Sequence, residues 1–146
     1  MRVVVQRVKS ANVKIDGDTV GEIGPGLVLL IGFAMGDKDE DMVYVMDKCV
    51  HLRIFADDGG KMSLSLKDIG GEILAVSQFT LYGDTRKGRR PGFDKAAPPD
   101  IAGPMYEAAV RHLRLHGISV STGRFGAHMH VSLVNDGPVT LIVESK

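Results

Sequence analysis

The chain has 146 residues, 44% of them hydrophobic and 25% charged, an ordinary globular mixture at the size of one compact domain, and this excludes disorder. Eighteen basic residues cancel eighteen acidic ones, so no bulk positive field attracts nucleic acid, and any such contact has to come from a local cluster. A single cysteine excludes an internal disulfide and any metal site built from two cysteines of one chain, which fits a reduced, cytoplasmic setting.

Met1–Arg7 and Ala11–Asp16 alternate apolar and polar residues with many valines, the pattern of two half-buried strands rather than of an export signal. Asp16-Gly17-Asp18 supplies a turn, and Thr19–Ile23 returns as a short strand. After Gly24-Pro25-Gly26, Leu27–Phe33 is apolar on both faces and reads as a central strand. The run Leu27–Ile31 is the longest apolar stretch, far short of the roughly 20 residues that cross a bilayer. Asp37 with Glu40 three positions later is a capping-box pattern, and it predicts a helix over 39–52 that carries Cys49 on its apolar stripe. Leu64–Leu66 and Glu72–Leu81 read as strands. Gly83–Pro99 has no apolar periodicity, and a connection of this length tends to be functional. A second helix is expected over 101–116, stopped by Gly117. Ile118–Ser121, His130–Val134 and Val139–Val143 complete the strands, the last two joined by a hairpin at Asn135-Asp136-Gly137-Pro138. No repeat or linker divides residues 1–146. The expected fold is α+β: an antiparallel-rich curled sheet or barrel-like β layer with two main helices packed on the outside.

Few residues suggest chemistry on their own. His112 and His116 share a helix face, but Leu113 stands where HExxH has its glutamate, and histidines in a last turn suit the helix dipole. His128 and His130 share a strand face without a nearby third ligand, so no metal and no cofactor are expected. Arg86, Lys87, Arg89 and Arg90 crowd four cations into five residues of the long loop, a charge cluster that suits phosphates but reads equally well as a solvated run near Asp84 and Asp94. Ser77-Gln78-Phe79-Thr80 lies late in a strand with no nucleophile elbow and no base at motif spacing.

Ser77-Gln78-Phe79-Thr80-Leu81 together with Asn135-Asp136-Gly137-Pro138-Val139-Thr140 closely resembles the paired signatures of the D-aminoacyl-tRNA deacylase family. The likeness extends through Met1–Val8, Leu52–Phe55, Gly70–Leu74 and Asp84–Pro91, in order and over essentially the whole chain. His128 departs from it, standing where a small or acidic residue is expected. The resemblance implies a homodimeric ester hydrolase acting on D-aminoacyl-tRNA and on glycine mischarged onto tRNA for alanine (Gly-tRNA-Ala). It further implies that Gly137-Pro138 is cis and enters the partner subunit's pocket. Its carbonyl oxygens would face the amino acid there and exclude an L side chain, with Arg7 holding the segment and Asn135 opening it.

Hydrolysis without an evident base–nucleophile pair points to main-chain catalysis. The amides of Phe79 and Thr80 are expected to cradle the ester carbonyl oxygen, Ser77 and Gln78 to hold the terminal ribose or adenine, and a ribose hydroxyl to orient the attacking water. The alternatives are Thr80 as covalent nucleophile, a non-catalytic RNA-binding module, and a metal-dependent hydrolase using the histidines. The second is weakened by 5% aromatics and no tryptophan.

Overall fold

A computed structural model describes residues 1–146. Valine-rich alternation gives β1 (Arg2–Ile15), one continuous strand where the sequence suggests two. Its register slips between Gln6 and Val8 and again between Val8 and Ser10, irregularities that bend a strand without ending it. A turn at Asp16-Gly17, both with positive φ, leads into β2 (Asp18–Ile23) and β3 (Gly26–Gly32). These two take successive halves of one edge of β1, with Ala11 opposite Ile23 and Val3 opposite Ile31. β6 (Glu72–Ser77) pairs parallel with β3, and β7 (Val120–Thr122) parallel with β6. The pairings along β1 are all antiparallel, so the sheet is mixed.

The sheet curls until β7 meets β2. The Ser121 hydroxyl donates to the Glu22 carbonyl at 3.1 Å, and a Cβ on Gly21 would lie 2.6 Å from the Thr122 carbonyl oxygen. Val8, Val13, Ile23, Val28, Leu74 and Val76 fill the inside of the curl. On the outer face Val3, Val5, Leu27, Leu29, Ile31 and Ile73 pack under the two main helices, α1 (Asp39–His51) and α3 (Pro99–Leu115). Burial on both faces explains why β3 is apolar throughout. The expected α+β fold, a barrel-like sheet carrying two outer helices, is the fold observed.

Several local readings need correction. α1 is capped at Lys38, whose N–H donates to the Asp41 carboxylate at 2.8 Å, because Asp37 is already engaged. Its carboxylate accepts from the Met1 amino group and from the Ala34 N–H, each at 2.7 Å. Residues 64–66 do not form one strand. β4 (Phe55–Ala56) pairs with β5 (Met62–Leu64), after which Ser65 caps a one-turn helix, α2 (Leu66–Ile69). α3 begins at Pro99, where a missing N–H costs nothing, rather than at Ile101. The hairpin at 135–138 does not exist: β8 (His130–Glu144) is a single strand that follows β1 along its other edge, from His130 opposite Lys14 to Glu144 opposite Arg2. No helix is long and apolar enough to cross a membrane. Cys49 is fully buried under α1, and desolvation pushes its thiol up to about 12, so it packs rather than reacts.

Candidate active site

Strand β6 stops at Ser77, four residues short of the expected end, and Phe79–Tyr82 wraps into a 3₁₀ turn. The Gln78 N–H still donates to the Ile31 carbonyl at 2.7 Å, extending the parallel ladder by one rung. The chain then folds over the end of β3, and Gly32 makes that possible: a Cβ there would sit 2.9 Å from the Gln78 carbonyl oxygen and 3.1 Å from the Leu81 Cβ. Within the turn the Leu81 N–H returns to the Gln78 carbonyl and the Gly83 N–H to the Thr80 carbonyl. As the first residues of a helical turn, Phe79 and Thr80 have no intrahelical acceptor for their amides. The Gln78 side-chain amide donates to the Thr80 hydroxyl, fixing the two polar side chains against each other.

Beside this turn lies a mostly apolar cavity of about 720 Å³. Val76, Ser77, Gln78 and Phe79 form one wall, Phe33, Phe93 and Ala96–Pro99 another, and Phe125–Met129 a third. Phe79 stacks edge-on against Phe93 at 5.1 Å between centroids. Ser77 and Gln78 are half-buried, whereas Phe79 and Thr80 are exposed. The aromatic and alanine walls escape sequence reading, because Phe93 and Phe125 lie in segments without periodicity. His128 is the one titratable side chain on the lining.

The second signature is built separately. Gly137 has φ +125°, and the Gly137–Pro138 peptide is cis. Arg7 grips the segment from β1: its Nε donates to the Asp136 carbonyl at 3.1 Å and lies 3.6 Å from the Asp136 carboxylate, while Nη1 donates to the Ile54 carbonyl at 2.6 Å. Asn135 closes it from within, accepting from the Val139 N–H at 3.1 Å and donating to the Thr140 hydroxyl at 2.9 Å. Gly137 and Pro138 are exposed and form no part of the wall of the cavity in their own chain. Thus the structure joins Ser77–Phe79 in one site and Arg7, Asn135, Gly137 and Pro138 in another, without bringing the two together. Around β8, Val134 and Ile142 remain 54% and 66% exposed.

The four loop cations are not equivalent. Arg86 is folded back on Asp84, with Nε at 2.9 Å from Oδ1, and this pair holds the Asp84 carboxyl well below the usual carboxylate range. Lys87, Arg89 and Arg90 are exposed, and of the four only Arg86 is ion-paired. Reciprocal Asp84–Gly92 backbone bonds of 2.7 and 2.9 Å close the base of the loop. A further bridge, Ala34 to Ala96, ties the rest of the 83–99 segment to the sheet.

His112 and His116 meet a partner that their own helix does not supply. Asp47 of α1 places Oδ1 at 2.7 Å from His112 Nε2 and 2.8 Å from His116 Nε2. The hydrogen bond from His112 is the main reason its carboxyl titrates below its ordinary value. His128 and His130 meet edge to face at 5.2 Å with no such carboxylate.

The family described as D-Tyr-tRNA(Tyr) deacylase matches residues 4–144. A D-aminoacyl-tRNA deacylase of Halalkalibacterium halodurans is 61% identical over the full length of both chains. One from Geobacillus sp. (strain WCH70) is 63% identical over all of this chain and 96% of its own. Among solved structures, a c-Myc DNA unwinding element binding protein superposes with a TM-score of 0.94 at 39% identity, covering 100% of this chain and 99% of that one. A probable eukaryotic D-amino acid tRNA deacylase has the same fold, with a TM-score of 0.86 at 19% identity over 98% of each chain.

Proposed function

Because the chain belongs to the D-Tyr-tRNA(Tyr) deacylase family, we propose that it hydrolyses the ester joining a D-amino acid to the terminal adenosine of tRNA, releasing free D-amino acid and tRNA. The observation that carries the chemistry is the pair of main-chain donors, Phe79 and Thr80, left without intrahelical acceptors beside a largely apolar cavity. Water attacks the ester carbonyl carbon, and the displaced electron pair on the carbonyl oxygen is cradled by these two amides. The bond to the ribose oxygen then breaks, and that oxygen takes up the proton lost by water. Ser77 and Gln78 hold the terminal ribose or adenine, and the neighbouring ribose hydroxyl orients the water. Fixed dipoles of this kind need no reorganisation during reaction, and one such donor is typically worth ~10²–10³ in rate.

Handedness is selected by exclusion. In a homodimer, Gly137-Pro138 of one chain enters the cavity of the other, its carbonyl oxygens facing the amino acid so that an L side chain collides with them. The grip of Arg7 and Asn135 on this exposed segment supports that role, as does its absence from the cavity of its own chain. Glycine has no side chain to collide, so Gly-tRNA-Ala is a substrate too. The exposed apolar residues of β8 support a second copy as the partner. Lys87, Arg89 and Arg90, with Arg86 braced behind them, contact tRNA phosphates, and the reaction takes place in the cytoplasm, with charged tRNA as substrate.

The deciding experiment is deacylation of matched D-, L- and glycyl-tRNA by the purified chain. D-aminoacyl and glycyl esters should be cleaved and the L ester retained. Equal cleavage of both enantiomers overturns exclusion, and binding without release makes the chain an RNA-binding module.

A further inference from the structure

Away from the cavity, α1 and α3 are joined by a cluster that the deacylation chemistry does not use. Asp47 Oδ1, His112 Nε2 and His116 Nε2 all lie within 4.8 Å of one another. The i, i+4 spacing places both imidazoles on one face of α3, and Asp47 reaches them from α1. His51, one turn beyond Asp47, points its Nδ1 at the Asp47 carbonyl at 2.8 Å and stacks edge-on against His116 at 5.5 Å.

We propose that Asp47, His112 and His116 form a binding site for a divalent first-row metal ion, Zn²⁺ above all, that clips α1 to α3. Two imidazole nitrogens and a carboxylate oxygen are a recurring zinc donor set, and three protein ligands leave one position for water. Ligands about 2.0–2.1 Å from zinc at tetrahedral angles lie roughly 3.3 Å apart. The two nitrogens lie 2.7 and 2.8 Å from the carboxylate oxygen, so a side-chain shift of about half an ångström per contact admits the ion. The atoms are also reachable: side-chain exposure is 22% for His112, 20% for His116 and 45% for Asp47. At 1.5 Å per residue, His116 stands roughly 20 Å along α3 from Ala102 in the cavity wall. The ion therefore serves the packing of the helices and takes no part in ester cleavage.

The same geometry also suits a hydrogen-bonded clasp without metal, and the two are separable. Metal-free full-length protein is titrated with Zn²⁺ against a chromophoric chelator, and its melting temperature is followed in parallel. We expect one Zn²⁺ per chain and, at a hundredfold excess over Kd, a rise in Tm of roughly 5–10 °C. Asp47→Asn and His116→Gln should each weaken binding at least tenfold, while His128→Gln, at the rival histidine pair, leaves it unchanged. Wild-type protein alone also decides the matter, whether or not a variant folds. Zn²⁺ should shift the imidazole NMR signals of His112 and His116 and leave those of His128 and His130 in place. No binding, or shifts confined to His128 and His130, overturns the proposal. Deacylation of D-aminoacyl-tRNA at low temperature should be equal with and without the ion, so failure of the metal site leaves the deacylase reading standing.

Discussion

The Thr80 hydroxyl accepts a hydrogen bond from the Gln78 side chain and is exposed, with no base among its partners. A hydroxyl needs an activating partner to attack an ester efficiently, so the proposed chemistry gives it no covalent role. Thr80→Ala should therefore retain deacylation within about tenfold of wild type in a single-turnover assay. A loss of ~10³-fold or more, or an acyl group trapped on Thr80, would identify it as the nucleophile. Individual residues were unevenly legible in the sequence. The string Ser77–Thr80 is recognisable, but Phe-Thr-Leu-Tyr has strand propensity, and the glycine that lets the chain fold over there, Gly32, belongs to another strand. Asp47 was invisible as a partner of His112 because 65 residues separate them, and only the packing of α1 on α3 closes that gap.

The elements were legible where one period ran uninterrupted, as in β3, α1 and α3, and misread where glycine and proline suggested a break that the ladder overrides. Asn-Asp-Gly-Pro looks like a hairpin, yet β1 is long enough to hold both flanks of β8 along one edge. Close approach between elements is equally hidden in a single string. A Cβ on Gly26 would lie 1.9 Å from the Glu72 carbonyl oxygen, across the first rung between β3 and β6. Gly26→Ala should cost about 3 kcal/mol or more, seen as a lower urea midpoint or as failure to fold, because backbone cannot yield as a side-chain tip can. The basic loop was legible as charge but not as pairing. Neutralising Lys87, Arg89 and Arg90 together should flatten the logarithmic salt dependence of tRNA binding by about two units, whereas Arg86→Gln, which removes an already paired cation, changes it little. Equal effects from both variants would show that the ion pair with Asp84 opens on binding.

At the scale of the molecule, the two signatures sit apart in one chain, and the exposed apolar side chains of β8 call for a cover. Mixing two variants tests whether the sites are shared. Gln78→Ala spoils the cavity and leaves the Gly-Pro segment intact, whereas Gly137→Val leaves the cavity intact but spoils the segment, so that alone it cleaves D and L esters alike. In an equimolar, randomly reassorted mixture, D-ester turnover per Gly137→Val chain should be unchanged while its L-ester cleavage falls by about half, since half of the intact cavities then face an intact segment. No fall in L-ester cleavage would mean that each chain works alone.

The backbone angle at Gly137 has a consequence of its own. A φ of +125° is the mirror of −125°, which is ordinary extended geometry for a residue of the opposite hand. An L-alanine there would be strained and would push its methyl to 2.9 Å from Arg7 Nη2. A D-alanine introduced by chemical ligation would find the angle natural. The segment proposed to tell mirror images apart thus turns on the single amino acid that has none.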